Sequence, residues 1–416
     1  MTSITEAVDT GTGYGRPAPT YNRRLVEVGP GTPMGELMRR YWQPFARVED
    51  ATATPRRVRL LGEDLILFRD GAGQPGLVAE RCCHRGASLF FGRVEDDGIR
   101  CCYHGWKFDA KGHCLDQATE VDGGLRRDVA RQPWYPIQAR YGLLFAYMGP
   151  PDKKPALPRW DKLEYLKEGE MLEVSTYPGY GPSDVLDYNW LQAFENTQDQ
   201  MHAIWLHGMH SGQQFVFDQD NVLPPLPDSG DVHGAVKSQA WSMTEQGVIA
   251  RGYYPFPGAN KVATFSVEAI FPNALSVPGL NDLGWIVPVD DTHHMVIQVG
   301  IVKELGAMAK RTITHHGKLW LELTEAELQK MPSDYEAQRS QGVIAFHSEE
   351  HLAQSDQGVA LVRRGLNRLL DDLQAGNDPV GVSFDPENDL RRIEAAPAAL
   401  QMLGDLGAGK DPTASL

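Results

Sequence analysis

The stretch Cys82 to Phe108, CCHRGASLFFGRVEDDGIRCCYHGWKF, constrains the fold and chemistry of this chain more than any other. It offers Cys82-x-His84 and, after sixteen intervening residues, Cys101-x-x-His104. Two short loops thus each present one thiol and one imidazole, the composition of a metal site. A structural zinc site usually pairs Cys with Cys and His with His. A two-iron cluster can instead place two cysteines on one iron and two histidines on the other, so each loop could supply one ligand to each iron. The bland alternatives are a zinc ribbon or a set of buried thiols.

The flanks HRGASL and YHGWKF are more particular than the four ligands, and the segment resembles the Rieske proteins. The resemblance implies a [2Fe–2S] cluster held by Cys82, His84, Cys101 and His104. Histidine ligation raises the potential to about −150 to +300 mV, so such a centre takes up electrons readily and passes them on. By itself that describes a carrier, and the rest of the chain decides whether it is an enzyme.

At 416 residues the chain is too long for one small cluster domain and predicts two or three domains' worth of core. It is 42% hydrophobic without a long apolar run, so no membrane association is expected. A net charge of −15 argues against nucleic acid as a partner, because that affinity rests on neutralising phosphates. The start, MTSITEAVDTGTGYG, lacks the basic-plus-apolar layout of a signal peptide, and a cytoplasmic location is expected. All five cysteines lie between positions 82 and 114, which suits a cluster and not a disulfide framework. Cys83, Cys102 and Cys114 are then surplus, as small buried or cluster-adjacent fillers.

Residues 1–20, rich in Thr, Gly and Pro, read as a loose arm. Met34, Leu37, Met38 and Tyr41 follow a helical period opened by Thr32-Pro33, a cap and first-turn pair. Strands are expected over 57–80, with a turn at Gly71-Ala72-Gly73, and again through short apolar runs to about 150. The prolines from 150 to 158 mark a boundary. Residues 184–209 read as helix, 233–302 as several strands, and a last helix starts near Ser355. That helix carries Val359, Val362, Leu366, Leu369 and Leu373 on one stripe and stops at Gly376. No nucleotide-binding glycine motif is present, so an NAD or flavin site of its own is not expected.

In NWLQAFENTQDQMHAIWLH, the residues Glu195, Asn196, Asp199, His202 and His207 crowd one segment. Two neutral imidazoles plus one carboxylate form the facial triad of non-haem Fe(II) sites. His202 and His207 could supply the pair, with His210 a rival for one place. Their five-residue step exceeds the helical repeat, so the helix must bend or bulge there. Candidates for the carboxylate are Asp334, Glu336, Glu349, Glu350 and Asp356.

ENTQDQMHAIWLH resembles the pattern of Rieske oxygenases, in which an Asp precedes His-x4-His. VGPGTPMGELMRRYW and SDYEAQRSQGVIAFHSEEHLAQSDQGVALVRR resemble the opening and the C-terminal signature of the phthalate dioxygenase branch. In that signature the ligand Asp precedes Gln, Ser and Gly by four, six and eight residues, matched here by Gln338, Ser340 and Gly342 after Asp334. The resemblance implies iron ligation by His202, His207 and Asp334, with Glu336 second choice for the carboxylate. It implies that Asp199 links His202 to His104 of a neighbouring subunit, a role that fits the habit of metal-bound imidazoles to donate to a carboxylate. Asn196 is placed near the open face of the iron.

The chain is thereby identified as resembling the catalytic alpha subunit of Rieske non-haem iron aromatic ring-hydroxylating oxygenases. The implied fold is α+β. Residues 1–45 form an arm and a helix packing on the catalytic domain, 46–155 an antiparallel β Rieske domain, and 156–416 a helix-grip (START-like) catalytic domain. One [2Fe–2S] cluster and one mononuclear Fe(II) per chain are expected, with O2 as co-substrate and NAD(P)H acting through a flavin/iron-sulfur reductase. A homotrimer or stacked trimers and an aromatic, carboxylated substrate to be hydroxylated or O-demethylated complete the expectation. Arginine clamps for a dianion are scarce: between His207 and Lys303 the basic residues are Lys237, Arg251 and Lys261. Trp205, Phe215, Phe217, Trp241, Tyr253, Tyr254, Phe256 and Phe271 could line a ring pocket or serve as plain core. The alternatives are a Rieske electron carrier with a non-catalytic helix-grip domain, and a zinc ribbon joined to a lipid-binding module.

Overall fold

The computed structural model describes residues 17–176, 179–212, 214, 239–255, 261–311, 315–396 and 399–402. The first sixteen residues of the expected arm lie outside these, as do Phe215, Phe217, Lys237 and Phe256 and the side chains of Tyr253, Tyr254 and Lys261.

Three small sheets build the front half. The strands Arg56–Leu60, Glu63–Arg69, Pro75–Ala79 and Trp134–Tyr135 pair antiparallel in that order. Leu65, Ile66, Leu67 and Phe68 are all buried, so the central strand is covered on both faces and reads as an unbroken apolar run. The expected turn is present, with Gly73 at φ +85° and its N–H donating to the Asp70 carbonyl at 2.9 Å. A second sheet of Arg93–Glu95, Gly98–Arg100, Trp106–Phe108 and Cys114–Gln117 carries the second ligand loop. The third joins Gln43–Arg47, Leu143–Ala146 and Ile137–Arg140. Gln43–Arg47 straddles residue 45, where the sequence suggested a boundary.

The helix Pro33–Arg39 is capped by Thr32, whose hydroxyl accepts from Gly35 N at 3.2 Å. Its buried Met34, Leu37 and Met38 belong to the main core, and the helix touches the last helix, Gln357–Gln374.

Among the described residues the rear half is built on an antiparallel sheet of nine strands and also holds a short parallel pair, Arg159–Trp160 with Leu390–Arg391. The main path of the large sheet runs Met171–Ser175, His293–Val302, Asn281–Asp290, Ala274–Val277, Lys261–Ile270, Gly247–Pro255, Gln239–Met243. The helix Gln357–Gln374 lies against Gly247–Pro255 and Gln239–Met243, the grip of a sheet on a helix. Val362, Leu366, Leu369 and Leu370 are at most 3% exposed, each worth about 2 kcal/mol of burial. Gly365 allows the close approach: a Cβ there would stand 2.2 Å from Phe271 Cζ. Gly376, at φ +88°, ends the helix as expected.

One expected element is cut. Residues 184–209 are not a single helix: Val185–Leu186 is a strand paired with His293–Val302, and the helices are Trp190–Asn196 and Gln200–Ile204. The cause is local. Asn189 and Asp199 each accept a backbone N–H with the side chain, starting a new helix at each point. Among the described residues no helix is long and apolar enough to cross a membrane.

Candidate metal centres

The two front loops are built alike. In each, a glycine four residues after the cysteine sits at positive φ, Gly86 at +76° and Gly105 at +69°, and its N–H returns to the cysteine carbonyl at 2.8 and 3.2 Å. This closure turns the intervening histidine toward the other loop. Gln132, fully buried, pins the first loop by accepting from Cys83 N at 2.8 Å and donating to the carbonyls of Ala79 and Arg81.

The four side chains converge as two pairs. His84 and His104 meet edge to face with ring centroids 4.6 Å apart, and Trp106 stacks flat on His84 at 4.3 Å. Cys82 and Cys101 are buried and interact with each other. Burial, reinforced by the neighbouring Cys101, pushes the Cys82 thiol up to about 12, so a Cys82 thiolate here needs a cation. A thiol pair beside an imidazole pair fits a two-iron cluster, with two cysteines on one iron and two histidines on the other. Of the surplus cysteines, Cys114 is buried, while Cys83 and Cys102 are exposed beside the ligand cysteines.

The second centre forms around an irregular helix. Gln200–Ile204 is α-helical and passes into a π-helical turn over Trp205–His210, where Ser211 N bonds the Leu206 carbonyl at 3.0 Å. The wider turn brings His202 and His207 onto one face despite their five-residue step, the bulge that the spacing demanded. Asp334, the first residue of the helix Asp334–Ser340, reaches both. Its Oδ1 lies 3.4 Å from His202 Nε2 and its Oδ2 3.3 Å from His207 Nε2. Ligand atoms of the three lie within 4.8 Å of one another, and His207 and Asp334 are buried. Burial opposes charge on His202, yet the adjacent Asp334 carboxylate lifts its imidazole to about 9. Asp334 is held well below the usual carboxylate range by the two imidazoles against its own burial. A buried carboxylate facing two imidazoles is what a divalent cation requires, and the set could hold one.

Each of these side chains is held from behind. His202 Nδ1 meets the backbone carbonyl of Asp199, and His207 Nδ1 meets Gln214 Oε1 at 2.6 Å. Asp334 Oδ1 accepts from Asn196 Nδ2 at 2.9 Å and Gln338 Nε2 at 3.2 Å. Asn196 also stands 3.1 Å from His202 Nε2, between that ring and Asp334. The Asp199 carboxylate does something not foreseen: it caps its own helix, accepting from Met201 N and His202 N. Its link to the His202 ring runs through the main chain.

The rival residues go elsewhere. Glu336 closes a capping box on Ser333 and accepts from Trp320 Nε1 at 2.8 Å, and Asp356 accepts from Ala353 N. Glu350 and Glu195 share the Arg363 guanidinium, and His210 is exposed. Of the pocket candidates, Trp205 is exposed, Phe271 belongs to the main core and Trp241 donates to the Gln198 carbonyl beside the last helix. Gln214 carried no sequence signal.

The model of the Rieske [2Fe-2S] domain matches residues 41–125. The phenoxybenzoate dioxygenase alpha subunit of Ectopseudomonas oleovorans is 44% identical over 94% of this chain and 95% of its own length. The chain belongs to the Rieske non-haem iron oxygenases. As an oxygenase subunit it is an oxidoreductase whose family carries a [2Fe–2S] cluster and a non-haem iron, which the two centres fit. The oxygenase subunit of a tert-butanol monooxygenase / tert-amyl alcohol desaturase from Aquincola tertiaricarbonis is 36% identical over 87% of this chain and 78% of its own. The crystal structure of dicamba monooxygenase bound to dicamba superposes with a TM-score of 0.56 at 17% identity, covering 82% of this oxygenase subunit and 99% of that chain. That likeness concerns the fold. The carrier alternative, with a non-catalytic second domain, loses its support to the buried triad and these relatives.

Proposed function

We propose that this chain is the terminal component of a two-component oxygenase that hydroxylates or O-demethylates an aromatic, carboxylated small molecule. The observation that carries the reading is the buried His202, His207 and Asp334 set in a chain that also bears a Rieske domain. Cys82, His84, Cys101 and His104 would hold the cluster, the buried triad the Fe(II). Bound there, the cluster would supply single electrons and the Fe(II) the capacity to activate O2.

The chain's own groups do the rest. Asn196 and Gln338 donate to Asp334 and keep its carboxylate aimed. Asp199, at the N-terminus of the iron helix, would connect His202 with His104 of a neighbouring copy in a closed head-to-tail trimer, since heterologous contacts close into rings. A separate flavin/iron-sulfur reductase using NAD(P)H would feed the cluster, in the cytoplasm. The N-terminal segment 1–45 would serve the catalytic domain 156–416, with 46–155 as the electron-carrying unit.

Relatives named for phenoxybenzoate, 3-chlorobenzoate and phthalate, and an O-demethylase named for 5,5'-dehydrodivanillate, support this substrate class. Arg251 is engaged with Ser242 and Glu394. The test is a screen of aromatic acids and methoxyarenes with a surrogate reductase under ¹⁸O2. A product heavier by labelled oxygen, or formaldehyde from a methoxyarene, supports the reading. NAD(P)H consumption without product from any of them would sink it.

A further inference from the structure

We infer that Gln214 is a positioning residue that fixes the protonation pattern of His207 and ties it to the segment bearing Asp334. The inference rests on His207 being an iron ligand, and it adds a residue that neither the ligand pattern nor the family relationship assigns.

The amide has one possible orientation. Gln214 Nε2 faces two main-chain carbonyls, Pro332 at 3.1 Å and Met331 at 3.4 Å, and a carbonyl can only accept. The NH2 group therefore points at residues 331–332, and Oε1 is left to face His207 Nδ1 at 2.6 Å. Because Oε1 can only accept, Nδ1 must carry the hydrogen. In a neutral imidazole the lone pair then resides on Nε2, the nitrogen turned toward Asp334. Two carbonyls of the main chain thus dictate, through one amide, which nitrogen of His207 is open to a metal.

The surroundings hold this relay rigid. Gln214 and His207 are 1% and 0% exposed, so water does not compete for the bond. Gln214 N donates to the His207 carbonyl at 3.2 Å, which folds the chain back on the ligand. Ser211 Oγ donates to the same Pro332 carbonyl at 2.7 Å. Pro332 precedes Asp334 by two residues, so Ser211 and Gln214 clasp the approach to the third ligand to the residues just after the second. The two ligand segments lie more than a hundred residues apart in the chain, and this clasp bonds one to the other.

The test compares Gln214→Leu, which removes both halves of the relay at similar volume, with Gln214→Glu, which keeps an acceptor at Oε1. Far-UV circular dichroism and thermal melts verify folding of the rear half in every variant, and the Rieske absorption that of the front. In chelator-stripped protein with ¹⁵N-labelled histidine, His207 should show a hydrogen-bonded, slowly exchanging Nδ1 proton in the wild type and in Gln214→Glu, and lose it in Gln214→Leu. Titrated with Co(II), Gln214→Leu should bind about 10- to 100-fold more weakly, and Gln214→Glu within a few-fold of the wild type. His207→Ala separates the two failures. If His207→Ala still binds the metal at wild-type strength, the ligand assignment falls. If it loses the metal while Gln214→Leu keeps both wild-type affinity and the protected Nδ1 proton, the inference about Gln214 falls alone.

Discussion

Loading metal into the emptied mononuclear site should release a proton, and the affinity should climb with pH across the neutral range. In the metal-free chain the Asp334 carboxylate, 3.4 Å from His202 Nε2, raises that imidazole from 6.5 to about 9. His202 is then charged at neutral pH, and a cation must displace its proton. Affinity should rise about tenfold per pH unit below about pH 9. Between about pH 6.5 and 8.5 that is roughly 100-fold, or about 2.7 kcal/mol at 1.36 kcal/mol per unit. The sign is fixed by the direction of the shift. A pKa raised by folding stabilises the metal-free chain fully below about 6.5, and that stabilisation is lost as pH rises through about 9. Metal binding therefore gains as the competing proton leaves. Asp334→Asn removes the cause; burial then dominates and lowers the His202 value, so the slope above about pH 7 should vanish even as overall affinity drops. Isothermal titration of Zn(II) or Co(II) into chelator-stripped protein, in buffers of differing ionisation enthalpy, counts the protons. A flat affinity between about pH 7 and 8.5 in the wild type would refute the reasoning, as would equal proton release from Asp334→Asn.

Other outcomes follow from individual contacts. Asp334→Ala should reduce iron from three to two atoms per chain with the cluster absorption intact, whereas Glu336→Ala should keep all three and cost only about 1 kcal/mol of stability through its lost cap; metal analysis and denaturant melts read both. Asp199→Asn should preserve both metals and the helix, since Asn caps as well as Asp, yet nearly abolish coupled turnover; wild-type product yield would remove Asp199 from the electron path. Gly105→Ala places a Cβ 2.8 Å from Ala118 Cβ at φ +69°, and should lower cluster occupancy as read by iron and sulfide content. Arg363→Met strands two carboxylates, Glu195 and Glu350, and should destabilise the rear domain by about 3–5 kcal/mol in thermal melts.

The front centre was legible from the sequence because its information is local. Each loop's cysteine, histidine and glycine lie within five positions, and backbone closure at Gly86 and Gly105 aims the ligands without help from afar. The His202 and His207 pair was legible for the same reason, and its five-residue step even announced the helical bulge. Asp334 could be picked only through a family signature, because nothing within its own helix distinguishes it from Glu336. Folding does: the first turn of Asp334–Ser340 points one carboxylate at the imidazoles and bends the other back to cap Ser333. Tertiary structure alone decided the supports behind the ligands. Gln214 is an ordinary amide in the sequence, and although resemblance marks Asn196 and Gln338, the bonds that all three make depend on which carbonyls, carboxylates and imidazoles approach them from segments as far away as residues 331–338. The same is true of Asp199, whose carboxylate serves its own helix while its carbonyl orients His202. Ligand identity is a matter of side-chain chemistry at short spacing, and so is written along the chain; ligand orientation depends on burial and on partners brought together from a distance, and so exists only once the sheet has closed around the helix.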